Sequence, residues 1–232
     1  MAPELSAPPA PEAPWRAGVR GARANLVPGI ALQLGALALV IAYYRHAPTR
    51  DALERLAVWR TDLGLRYSIV STALFAGLIP MLYLWANRAT RSTYNVSQAT
   101  WLVFFWAYKG LEIDLWYRLL AHTIGEGADA RTIAIKTFLD QCVYCPIFAV
   151  PLTMFGYEFA ALGLSFRAFA ADVRAGQWYR RRVLPSLIAN LGIWLPAACI
   201  IYALPTPLQL PLQNLVMCFF TLILVHVTRH QR

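Results

Sequence analysis

Four stretches of the chain, residues 26–44, 67–86, 183–204 and 208–228, run on without a single Asp, Glu, Lys or Arg. At about 20 residues each is long enough to cross a hydrocarbon core roughly 30 Å thick as a helix. Two further apolar stretches, 98–121 and 132–162, have the length to cross but contain charges. Backbone in lipid must satisfy its own hydrogen bonds, and runs this long without alternation read as helices rather than barrel strands. The pattern predicts an all-α fold, a polytopic transmembrane helical bundle of about six spans.

The punctuation of the pattern fixes the organisation. Residues 1–25 are rich in Pro and Ala, with Pro3, Pro8, Pro9, Pro11 and Pro14 before Arg16, Arg20 and Arg23, and read as a disordered tail. Residues 26–232 then form a single transmembrane domain, because the connections are too short to bury a core of their own. The first apolar run is too long and too late for a cleaved signal, and Glu4, Glu12 and the prolines argue against a transit peptide. Tyr and Trp gather at the run ends, as at Tyr43, Tyr44, Trp85, Trp178 and Tyr179, where amphipathic rings favour the headgroup level. Pro146 and Pro151 predict a kink in the long fourth run, and residues 204–208 a hairpin between the last two.

Composition agrees: 58% of residues are hydrophobic and 14% charged, against about a quarter charged in soluble domains. The net charge of +9 raises nucleic acid as a partner, but the arginines sit in the short connections, which is how membrane orientation is set. Counted on alternate sides they divide twelve to seven, which predicts both termini on the cytoplasmic side. Arginine far outnumbers lysine and alanine is abundant, as in a GC-rich genome. A bacterial cytoplasmic membrane is the first expectation, with a mitochondrial inner or peroxisomal membrane as the alternative.

The charges inside the runs carry the chemistry. An ionised side chain at the centre of a spanning helix costs about 2.5–3.5 kcal/mol on insertion scales, so it turns to a partner or to a water-filled interior. Lys109 and Glu112 are three apart and share a helix face, while Asp114 and Arg118 are four apart with the acid first. Lys136 and Asp140 are also four apart and can pair within their helix, or either can reach across to the preceding run; Gln141 follows, and Asn190 lies in the fifth run. Lys109, Glu112, Asp114, Lys136, Asp140, Gln141 and Asn190 are the candidate polar seam. It either passes small solutes or ions, or only fastens the helices, since interhelical polar contacts contribute about 1 kcal/mol each.

Cys142 and Cys145 form a C-x-x-C pattern, but it lies in an apolar run with no further ligand at zinc-like spacing, and small buried thiols are the expectation. Neither a metal nor another cofactor is predicted. The four histidines join no nucleophile, zinc or phosphate-cradling motif, so no enzyme is expected. Asn95-Val96-Ser97 matches a glycosylation acceptor, yet falls on the side predicted to be cytoplasmic.

Three segments of the C-terminal half carry a resemblance. They are Gly110 to Leu120, with Trp116-Tyr117 inside it; Lys136, Asp140-Gln141 and Pro146; and Pro185, Asn190, Trp194, Pro196 and Pro205. Over residues 105–230 the chain resembles the family of the 22-kilodalton peroxisomal membrane protein, which has mitochondrial inner-membrane relatives. Leu111 stands where that family has proline and Asp114 where it has histidine. The resemblance implies a small helical bundle of four spans, one or two N-terminal helices here being additional. It also implies a nonselective or weakly cation-preferring pore for small metabolites.

Residues and resemblance together predict a pore-type membrane protein, with Asp140 first among its lining residues. Glu112, Asp114, Asp140 and Glu158 outnumber Lys109 and Lys136, which predicts a preference for cations. The alternative is a membrane-embedded structural or assembly protein without transport. The bilayer is the expected partner, a homo-oligomer is left open, and nucleic acid is not expected.

Overall fold

The computed structural model describes residues 13–229, with side chains described as far as residue 222. The described residues are all-helical. In chain order the helices are α1 (Pro14–Ala24), α2 (Leu26–Arg45), α3 (Ala47–Leu63), α4 (Leu65–Ala86), α5 (Val96–Ile124), α6 (Ala130–Ala161), α7 (Phe166–Arg174), α8 (Tyr179–Tyr202) and α9 (Thr206–Arg229). Among the described residues α2, α4, α6 and α8 are long and apolar enough to cross a membrane. The pattern predicted six spans. α5 has the length, but Lys109, Glu112, Asp114 and Arg118 crowd its second half, and α9 opens with Gln209, Gln213 and Asn214.

The expected N-terminal tail needs correcting. Residues 1–12 lie outside the described residues, but Pro14–Ala24 is helical. Pro14 stands in the first turn, where the missing N–H costs nothing and the fixed φ suits a helix. Gly18 then lets α1 close onto α8, since a Cβ there would come within 2.7 Å of Cβ of Ile188. Arg16, Arg20 and Arg23 remain exposed on the other face.

Three helices contain a widened, π-helical stretch, at Ala73–Leu78 in α4, Asp140–Ala149 in α6 and Tyr179–Val183 in α8. Each ends two residues before a proline, Pro80, Pro151 or Pro185. A proline ring clashes with the carbonyl one turn back, and widening the turn relieves that clash without breaking the helix. The kink predicted around Pro146 and Pro151 thus takes the form of a ten-residue wide stretch. The carbonyl of Pro146 is capped by the hydroxyl of Tyr179 at 3.0 Å.

α5 and α9 hold the centre. α5 packs on α4, α6 and α9, while α9 also touches α2, α3 and α8. Gly110 lets α5 close onto α4, for a Cβ there would collide with the Ser68 carbonyl oxygen and lie 2.7 Å from Thr72. Tyr117, Ile201, Tyr202, Leu208 and Leu210 form the main core between α5, α8 and α9. Outward faces are apolar, as in the exposed stripes Ile30, Leu34, Leu37 and Ile41 of α2 and Val70, Leu74, Leu78 and Leu82 of α4. Water would be a poor solvent for so much contiguous apolar surface, and lipid a good one.

Candidate functional site

A cavity of about 270 Å³ lies between α5, α6, α8 and α9. Its polar lining includes Lys109 from α5, Asp140 and Gln141 from α6, Asn190 from α8 and Gln213 from α9. Four of the seven predicted seam residues therefore share one space. The wide stretch of α6 starts at Asp140, and it buries Asp140, Gln141, Tyr144 and Cys145 together. Wide turns of this kind often occur at functional sites.

The charges on the wall are unequally matched. Lys109 donates to Oε1 of Glu112 at 2.9 Å, and the Tyr144 hydroxyl donates to the same oxygen at 2.7 Å. The lysine and glutamate thus cancel. Asp140 has no cation within ion-pair distance among the described residues; its Oδ1 accepts from the Trp116 indole at 2.8 Å and its Oδ2 from the Gln141 amide at 2.7 Å. Trp116 is itself stacked on Tyr144, with centroids 4.7 Å apart and planes 11° apart. The carboxylate is therefore held by two neutral donors, one of which is fixed by an aromatic stack.

Glu112, Asp114 and Lys136, predicted in the seam, do not line the cavity, although Glu112 reaches Lys109 on its wall. Asp114 is completely buried between Arg60, which donates to its Oδ1, and Arg118, at 3.1 Å from its Oδ2. Arg60 also donates to the Thr206 carbonyl at 3.1 Å, so this cluster ties α3 and α5 to the start of α9. Burial pulls the Arg60 guanidinium below its usual range, opposed by Asp114 and reinforced by Arg118. Lys136 makes no ion pair with Asp140. Its ammonium lies 6.0 Å from the Tyr202 ring centroid, at the outer reach of a cation–π contact, while Asp140 accepts from Trp116 and Gln141. Glu158 also stands apart, 3.1 Å from Arg182.

The motif residues divide in the same way. Tyr117 and Trp194 line the cavity, Trp116 holds Asp140, and Gly110 provides the α4–α5 contact. Pro146 lies in the wide turn, Pro196 inside α8, and the Pro205 carbonyl accepts from Leu208 at the start of α9. Cys145 is buried and receives a weak bond from Asn190 at 3.8 Å, but Cys142 is exposed, contrary to the expected pair of buried thiols. The kinked, wide helix turns the two sulfurs to different sides. Among the described residues no three His, Cys, Asp or Glu side chains come together to hold a metal ion. Asn95 caps α5, in a reciprocal pair with Gln98, so the acceptor-like tripeptide has a structural use.

Sequence reasoning missed Trp106, Tyr144 and Tyr157 on the wall, and Arg60 in the cluster. The aromatics look like any others in an apolar run. Arg60 had a signal: Leu53, Leu56, Ala57 and Arg60 follow helical spacing, and the first three pack on the core. Comparison with family models, curated proteins and solved structures returns no match for this chain.

Proposed function

We propose that the protein is a pore-type membrane protein that passes small solutes or ions through the space between α5, α6, α8 and α9, with a preference for cations. The observation that carries this reading is Asp140, a buried carboxylate on the cavity wall held by Trp116 and Gln141 and paired with no cation among the described residues. With Lys109 and Glu112 cancelling each other, one negative charge is left to face a permeant species. The preference thus rests on one acid rather than four, because Asp114 and Glu158 are paired with arginines elsewhere.

In this reading α5 and α9 complete six spans. Support comes from the way α5 turns Lys109 and Asp114 inward while Phe104, Tyr108, Leu115 and Leu119 form an outward stripe suited to lipid. Both termini lie on the cytoplasmic side, by the excess of arginine there. The likeness to the 22-kilodalton peroxisomal membrane protein family fits a pore and belongs to the same proposal.

Planar bilayers containing the purified native chain or Asp140→Asn provide the test. The proposal expects conductance in the native chain, with cation preference reduced by the substitution. Silent bilayers with verified insertion would replace it with the structural or assembly role, in which the polar side chains only fasten helices.

A further inference from the structure

The cavity presents acceptors, one net negative charge and aromatic faces. Gln141 is 3% exposed; its amide nitrogen donates to Asp140, and its buried Oε1 accepts no hydrogen bond among the described residues. Asn190, on the same wall, turns its amide nitrogen to the Cys145 sulfur at 3.8 Å. A buried acceptor without a donor is costly, by about 1–3 kcal/mol, and an occupant that brings N–H groups relieves the cost. The rings of Trp106, Tyr117, Tyr157 and Trp194 complete the wall. Aromatic faces attract cations, most strongly away from water. Among the described residues the one cation on the wall, Lys109, is already neutralised by Glu112 at 2.9 Å.

We infer that the cavity takes a small protonated amine with an apolar body: the ammonium donates to Asp140, Gln141 and Asn190, and the body packs among the aromatic rings. At about 270 Å³ the space falls at the small end of ligand pockets, which run to about 300–1,000 Å³, and suits a single ring. A bare metal ion would satisfy the charge but leave the aromatic wall without a partner. An anion would face Asp140 and the free acceptor of Gln141. The inference rests on the transport reading, because it names the solute that the pore would hold in passage.

The test measures binding of three probes of one shape, cyclohexylammonium, cyclohexanol and cyclohexanecarboxylate, to the native chain in nanodiscs by calorimetry, with empty nanodiscs subtracted. Cyclohexylammonium is expected to bind at least about tenfold more tightly than cyclohexanol, as a charge-assisted hydrogen bond implies, and the carboxylate weakest of all. Asp140→Asn is expected to erase the advantage of the ammonium. Equal binding of ammonium and alcohol, preference for the carboxylate, or no binding of any probe overturns the inference, and the native comparison decides even where Asp140→Asn does not fold. Selective ammonium binding with electrically silent bilayers would retain the ligand class and discard the pore. Conductance sensitive to Asp140→Asn without ammonium selectivity would retain the pore and discard the ligand class.

Discussion

Arg60 and Asp114, 54 positions apart, form a buried ion pair in which the carboxylate is entirely inaccessible. It joins α3, a helix between the apolar α2 and α4, to the charged half of α5, and through the Thr206 carbonyl it reaches α9. A charge buried this deeply is tolerable only while its partner is present.

Asp114→Asn strands the buried Arg60 charge, and Arg60→Met leaves the buried Asp114 with only the half-exposed Arg118 as partner. Each is expected to lower stability by about 3–5 kcal/mol, whereas the double variant Arg60→Met/Asp114→Leu recovers most of the loss. Unfolding in mixed micelles, monitored by tryptophan fluorescence, measures all three. Additive losses in the double variant would contradict the pairing.

Gly110 lies where α5 meets α4 with no room for a Cβ. Gly110→Ala has nowhere to put its methyl group except against the Ser68 carbonyl, so the helices must separate, and a loss of more than about 2 kcal/mol is expected. Gly35→Ala in α2 meets nothing within 4 Å and is expected to be neutral or slightly stabilising through helix propensity. Melting temperatures of the two variants side by side would separate a packing effect from a general intolerance of alanine.

Trp116 is expected to act on Asp140 through one hydrogen bond, since Trp116→Phe retains a ring to stack on Tyr144 but removes the donor. A double-mutant cycle between Trp116→Phe and Asp140→Asn should return a coupling of about 1–3 kcal/mol. A coupling near zero would show that the indole and the carboxyl are independent.

Asp129 caps α6, accepting from the backbone N–H groups of Arg131 and Thr132 at 3.1 Å. Hydrogen bonds from Thr132, side chain first and backbone second, hold its carboxyl below the ordinary value of 3.8. Because the folded value is the lower one, the cap is fully effective above pH 3.8 and its contribution is lost as the pH falls through the folded value. Amide exchange at Arg131 and Thr132, scanned from about pH 5 to about pH 3 and corrected for intrinsic rates, should show protection falling at the acid end. Asp129→Asn, which caps without titrating, should show no such fall.

Much of this was legible along the chain. Uncharged runs of about 20 residues specify helices because lipid offers the backbone no alternative partner. Local spacing also sufficed for Lys109 with Glu112 and for Asp114 with Arg118, since residues three and four apart meet on any helix. The same rule failed for Lys136 and Asp140, where neighbours from other helices competed: the indole of Trp116 took the carboxylate and the ring of Tyr202 faced the ammonium. It also could not say that Pro14 would start a helix rather than prevent one, because the docking surface for α1 is supplied by α8.

The sequence by itself determined the class of fold, the helical runs and the short list of polar residues that cannot face lipid. Only the tertiary structure decided which of them meet: Lys109, Asp140, Gln141 and Asn190 around one cavity, and Asp114 with Arg60 in a separate cluster. The physical reason is range. Helix formation and lipid exposure are set by each residue and its near neighbours, whereas the environment of a buried charge is set by whatever helix arrives beside it from elsewhere in the chain.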